Sequence, residues 1–175
     1  MHILTLEPFL RFDGAKKTEG IKLKSNCRIA RKYCDDEAVE WVYCDRPSDR
    51  FEVRVRRNPK HKYLGIGFAE RDTRLNNENW FSRHSWLIYT GNCAVSDRNE
   101  WGPKGFSDID ENSVVSITKD FAHRTLVFRV DGMEPREIFG RPYGRRITGL
   151  SDKQFSELLG VVEMRWKDDA VEIVQ

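Results

Sequence analysis

The sequence lacks an apolar run of membrane-spanning length, a C-x-x-C cysteine pair and an Asn-x-Ser/Thr acceptor. Its 30 Lys+Arg and 28 Asp+Glu leave a net charge of only +2. Each absence excludes something. Without about 18 consecutive apolar residues, no membrane-spanning helix is expected. Glu7, Arg11 and Asp13 interrupt the first segment, so it does not read as a secretory signal. The cysteines Cys27, Cys34, Cys44 and Cys93 are irregularly spaced, whereas a zinc site wants ligands paired close in sequence. No metal site and no cofactor are expected; free thiols in a reducing, cytoplasmic or nuclear compartment are. The balanced charge gives no global pull toward nucleic acid or membrane, so either partner would need a local patch.

What is present is alternation. The 175 residues suit one domain, large enough to bury a core without staples. In 51–57, Phe51, Val53 and Val55 face one way while Glu52, Arg54 and Arg56 face the other. The same period-2 pattern runs through 63–69, 113–119, 124–130 and 170–174, with shorter candidates at 3–6, 20–23, 28–32, 39–43, 85–89 and 136–139. In 63–69, Leu64, Ile66 and Phe68 alternate with small residues, as suits a strand covered closely on its second face. Breakers separate these segments: Asp13-Gly14, Arg46-Pro47, Asn58-Pro59, Gly91-Asn92, Gly102-Pro103 and Asp131-Gly132. One helix is expected near 151–158, with Ser151 as N-cap, Gln154 at the capping-box spacing and Gly160 as its stop. Many short strands and one small helix predict an all-β antiparallel sandwich.

No stretch carries a catalytic mechanism, and the chain is not expected to be an enzyme. Residues 65–70 (GIGFAE) lack the third glycine and the following helix of a dinucleotide fingerprint. His84-Ser85 lies within a strand pattern rather than a nucleophile elbow. The acidic cluster 107–112 lacks EF-hand spacing and reads as a solvated turn, with Asn112 suited to a positive φ. Asp168 and Asp169 are adjacent and would point to opposite faces of a strand. The basic segments 54–62 and 141–146 have few interleaved aromatics; a solvated charged face is the plainer reading, and RNA contact the alternative.

Residues 119–132 (KDFAHRTLVFRVDG) place an Asp, a short turn, Thr-Leu, an aromatic strand and an Asp-Gly turn in succession. This resembles the most recognisable segment of SPRY domains. Residues 51–55, 64–69, 85–92 and 113–120 resemble further segments of that family in the expected order, and 158–174 looks like its closing pair of strands. Residues 4–8 and 21–32 are similar to the PRY extension of TRIM-type proteins. The departures are Asn112-Ser113 for Gly-Asp, Leu158-Leu159-Gly160 for Leu-Tyr-Pro, a helix in a plainer connection, and Lys119 at an apolar position. The resemblance therefore implies a divergent member. It would be a single PRY-SPRY-like domain over 1–175, with a PRY-like part at 1–50 and the SPRY core at 51–175. The implied fold is a concanavalin-like jelly-roll sandwich.

The implied task is non-enzymatic recognition of a protein, peptide or folded epitope by loops at one edge, as a substrate-recognition or scaffold module. The alternative is an RNA-associated module built on 54–62 and 141–146. No membrane partner is implied. By the same resemblance, partner contacts fall on Tyr89 and Trp166, with Arg74 and Trp80 in the loop 70–84. Arg46, in the segment 44–50, and Lys167 would flank them. Each has a plainer reading beside it. Trp166 could pack against a sheet end, Tyr89 could be half-buried structure, and Trp80-Phe81 could close the core. Trp41 and Trp86 read as structural, alternating with apolar neighbours inside strands.

Overall fold

The computed structural model describes residues 9–71, 85–91, 95–97, 100–101, 109–130, 136–137 and 147–175. In chain order these form β1 (Phe12–Lys17), β2 (Ile21–Lys24), β3 (Ile29–Lys32), β4 (Glu40–Cys44) and β5 (Arg50–Arg57). There follow β6 (Gly65–Ala69), β7 (Ser85–Tyr89), β8 (Val95–Asp97), β9 (Glu100–Trp101) and β10 (Val114–Asp120). The chain continues through β11 (Thr125–Val130), β12 (Arg136–Glu137), α1 (Asp152–Ser156), β13 (Leu159–Met164) and β14 (Ala170–Ile173). Two seven-stranded sheets result, ordered β1-β4-β13-β6-β7-β8-β9 and β12-β11-β10-β5-β14-β3-β2, and every strand pairing is antiparallel. Both sheets draw strands from residues before and after position 50.

Alternation decides the layers. Phe51, Val53, Val55, Val115, Ile117, Leu126, Phe128, Val171 and Ile173 of the second sheet share one core with Val42, Ile66, Phe68, Trp86, Ile88, Val162 and Met164 of the first. The outer face of the second sheet is polar, with Arg56 paired to Glu172 at 3.1 Å. In the first sheet, the central strands β6, β7 and β13 are buried on both faces. Its other side carries Tyr43, Ala69, Leu87, Tyr89, Leu159 and Val161, with Trp41 packed against them, so all five residues of β6 are buried. The small residues of β6 serve that second covering, as the sequence suggested.

The hairpin of β10 and β11 pairs Asp120 with Thr125. Asp120 fastens its turn: its carboxylate accepts the His123 backbone N–H at 3.1 Å and meets His123 Nδ1 at 2.8 Å, and Arg124 adopts φ +56. Asn112, at φ 72, occupies the positive-φ position expected of it. The helix begins as predicted. Ser151 Oγ accepts the Gln154 N–H at 3.1 Å, and the Gln154 side chain accepts the Ser151 N–H at 2.8 Å. It ends earlier than predicted, because Gly160 lies inside β13. There a Cβ would stand 2.9 Å from both Cys44 Sγ and the Phe51 ring, so the glycine serves close packing rather than a helix stop.

Lys119 also finds its reason. It is buried, and its Nζ donates to the Ser156 and Leu158 carbonyls at 2.9 Å each, tying the helix end to the hairpin. Burial lowers its pKa to about 8, against the field of Asp49. β1 was missed, since Asp13-Gly14 reads as a breaker. The strand absorbs that pair as an irregularity in its register with β4, and Asp13 accepts the Ala15 N–H at 2.8 Å. The candidate strand at 3–6 lies outside the described residues.

Candidate functional site

The turn between β13 and β14, residues 165–169, rests on buried polar side chains. Asp169 is fully buried. Its Oδ2 accepts the backbone N–H of Arg165 at 3.1 Å and of Trp166 at 2.8 Å, while Oδ1 accepts Asn58 Nδ2 at 2.8 Å. Asn58 Oδ1 in turn accepts the Thr90 hydroxyl at 3.1 Å, and Thr90 Oγ1 accepts the Leu64 N–H at 3.2 Å. One carboxylate thereby locks three connections together: the turn after β13, the loop after β5 and the residue after β7. Burial pushes the Asp169 carboxyl up to about 6, against its three N–H donors and nearby Lys32.

Lys32 is the second post. Its side chain is wholly buried, and its Nζ donates to the carbonyls of Asp36, Ala38 and Arg165 at 2.8, 2.5 and 2.7 Å and lies 3.0 Å from Asp36 Oδ1. Asp168, at φ +74, closes the turn. Arg31 holds its carboxylate below the usual range from 2.5 Å, with Arg57 at 3.9 Å.

On this base stands Trp166, half-buried. Its ring lies 6.4 Å from that of Tyr63, and three cations surround it: Arg165 at 5.3 Å from the centroid, Lys60 and Lys62 at 6.0 Å each. The indole Nε1 is shielded from solvent and has no acceptor among the described residues. Lys167, next in the chain, is half exposed and pairs with Asp35 at 3.6 Å. Tyr63 is held at φ 63, its N–H donating to the Thr90 carbonyl at 3.1 Å.

Tyr89 lies one residue before Thr90 but points elsewhere. It is buried on the outer face of the first sheet, and its hydroxyl donates to Glu163 at 2.5 Å. Burial raises the Glu163 carboxyl to about 7 despite that bond. The structure thus brings Tyr89 and Trp166 to one end of the sandwich through Thr90 and Tyr63, one as buried support and the other half-exposed on a turn. Arg46 is separated from them. β13 runs antiparallel to β4, with Met164 opposite Glu40 and Val161 opposite Tyr43, so residues beyond Cys44 lie at the other end of that strand from Trp166. Arg46 there pairs with Asp45 at 3.8 Å rather than flanking Trp166. Arg74, Trp80, Asp131, Gly132 and the basic stretch 141–146 lie outside the described residues. Within 54–62, Arg56 pairs with Glu172 and Arg57 approaches Asp168.

Sequence reasoning missed Lys32, Asn58, Asp169 and Glu163, each a polar residue buried at a strand end or on a covered face. Glu163 had a signal: a lone carboxylate at an apolar-flanked position in 158–164. Cys34, Asp36 and Glu40 also went unnoticed. Their ligand atoms lie within 4.8 Å of one another, but the Lys32 ammonium already holds the cationic position beside Asp36. No helix among the described residues is long and apolar enough to cross a membrane.

No protein-family profile and no curated protein sequence matches the chain. Solved structures do. The SPRY domain of human HERC1 superposes with a TM-score of 0.72 over 94% of this chain and 97% of that one, at 14% identity. The TRIM65 PSpry domain gives 0.63 over 95% and 92%, at 13% identity. The neuralized-nhr1 domain of Drosophila melanogaster gives 0.57 over 97% and 99%, also at 13% identity. With its two antiparallel sheets and its far-diverged sequence, this chain has the fold of a SPRY domain.

Proposed function

We propose that this protein is a non-enzymatic interaction module that recognises a peptide or a folded epitope at the end of the sandwich where Trp166 stands, serving as the recognition or scaffold part of a larger assembly. The observation that carries the reading is the mounting of Trp166. A half-exposed indole sits on a turn whose backbone is fixed by buried Asp169 and Lys32. A large aromatic held rigid on a loop loses little entropy on binding, and such residues dominate the energetics of interfaces. Tyr89 contributes from below by setting the position of Thr90 and, through it, of Tyr63.

The test is affinity capture from cell extract, with and without nuclease, comparing wild type with Trp166→Ala, each checked for folding by thermal melting. A protein retained after nuclease by wild type and lost from the variant supports the reading. Capture that ignores the variant removes Trp166 from the site. Capture that collapses with nuclease would favour the RNA-associated alternative, for which Arg54, Lys60 and Lys62 are the Arg and Lys residues of 54–62 without a carboxylate partner among the described residues.

A further inference from the structure

The charge around Trp166 is unevenly spent. Arg31 and Arg57 share Asp168, Arg165 lies 3.7 Å from Glu37, Lys167 lies 3.6 Å from Asp35, and Lys32 is committed to Asp36 and three carbonyls. Lys60 and Lys62 are different. Both are exposed, neither has a carboxylate partner among the described residues, and both ammonium groups lie 6.0 Å from the centroid of the one indole ring. Two like charges gathered on one ring are tolerated because the ring's electron-rich face attracts each of them. The arrangement leaves them poised for an anion. The backbone that carries them is closely packed: His61 and Tyr63 both take positive φ, and Gly91, at φ +85, lies where a Cβ would stand 2.6 Å from Lys62 Cβ.

Resting on the reading of Trp166 as a recognition residue, we propose that its partner is an acidic peptide segment, whose side-chain carboxylates meet Lys60 and Lys62 while an adjacent apolar or aromatic residue packs on the indole. The geometry favours such a peptide over nucleic acid. A polynucleotide carries a charge at every residue and gains its affinity by neutralising several phosphates. Around Trp166, among the described residues, two lysines are uncommitted, while Arg31, Arg57, Arg165 and Lys167 each already face a carboxylate. A peptide can space its carboxylates to meet the two lysines alone.

The experiment is selection of random twelve-residue peptides displayed on phage against the full chain. Affinities of the winners are then measured by fluorescence polarisation for wild type, Trp166→Ala and Lys60→Glu/Lys62→Glu, with a twelve-nucleotide oligouridine as a separate probe. Both lysines are exposed, so the charge reversal is expected to fold as wild type does. The expected result is at least threefold enrichment of Asp and Glu over the naive library, and at least a tenfold affinity loss in both variants. The lysine-dependent affinity should also weaken several-fold between 50 and 300 mM salt. Peptides that need Trp166 but show no acidic enrichment, or that bind Lys60→Glu/Lys62→Glu unchanged, overturn the charge assignment and leave the proposed function standing. Failure to enrich any Trp166-dependent peptide overturns the acidic-peptide assignment, and the affinity capture described above decides the proposed function separately. Oligouridine binding tighter than every selected peptide, and lost in the lysine variant, assigns the patch to RNA instead.

Discussion

The Tyr89 hydroxyl reaches Glu163 across an intervening strand, over the one residue between them that has no side chain. Across the first sheet Trp41 pairs with Glu163, Glu163 with Gly65, and Gly65 with Tyr89. The phenol passes over Gly65, where a Cβ would stand 2.7 Å from Cε1, and its hydroxyl donates at 2.5 Å to Glu163, a residue 4% exposed. Glu163 is therefore an acid buried among aromatics, and its folded pKa of about 7 lies above the ordinary 4.5.

This predicts a pH dependence with a definite sign. A raised folded pKa contributes stability that is fully present below pH 4.5 and lost as pH rises through about 7. Glu163→Gln keeps an acceptor for Tyr89 and removes the charge. It should unfold at higher urea than wild type at pH 8.5, by up to about 3 kcal/mol, with the gap closing toward pH 4.5. Equal urea midpoints at pH 8.5 would show that Glu163 ionises there without cost.

Gly65→Ala should be destabilising by about 1–3 kcal/mol, because the new Cβ would stand 2.7 Å from Tyr89 Cε1 within a covered layer. The double variant Gly65→Ala/Tyr89→Leu should lose less than the sum of its single changes, since the clash disappears with the ring. Additive losses in thermal or urea unfolding would place the strain elsewhere.

The sandwich was legible because alternation survives translation into layers. Phe51-Val53-Val55 and Leu126-Phe128-Val130 name their buried faces directly, and Ser151 with Gln154 names the helix start. β1 was not legible, because a strand that bends through Asp13-Gly14 keeps its pairing by backbone bonds that leave no apolar period. The polar turn that carries Trp166 and Lys167 was legible, since a large aromatic and a charged residue follow one another between two apolar strands. The placement of Arg46 was not legible, since it depends on which end of β4 meets the turn after β13. Nor could the sequence reveal Lys32 or Asp169. A buried charge looks like a surface charge until its most distant partner, here 133 residues away for Lys32 and 111 for Asp169, is brought to it.

Lys32→Met should cost roughly 3 kcal/mol or more, since three carbonyl oxygens lose a charged donor that water cannot readily replace. The damage should concentrate at the turn. Hydrogen exchange of the amides at 165–169 is expected to quicken more than that of the β10–β11 hairpin. Uniform quickening would mean that Lys32 supports the whole fold rather than the site.

Asp169 offers the sharpest separation of charge from hydrogen bonding. Asp169→Ala strands the backbone N–H groups of Arg165 and Trp166 and the Asn58 amide, and should destabilise by about 2–4 kcal/mol. Asp169→Asn should cost far less. Its carbonyl can still accept the two backbone donors, and its new NH2 is accommodated if the Asn58 amide flips and Thr90 Oγ1 turns from donor to acceptor. The charge also has a sign. With a folded pKa of about 6 against 3.8, Asp169 contributes stability that is fully present below pH 3.8 and lost as pH rises through about 6. Asp169→Asn should therefore compare more favourably with wild type at pH 7.5 than at pH 4. If the two substitutions are equally damaging at both values, the network needs the ion itself and the flip does not occur. If Asn is tolerated and peptide binding at Trp166 persists, the turn is held by geometry and Lys32 needs no buried counter-charge.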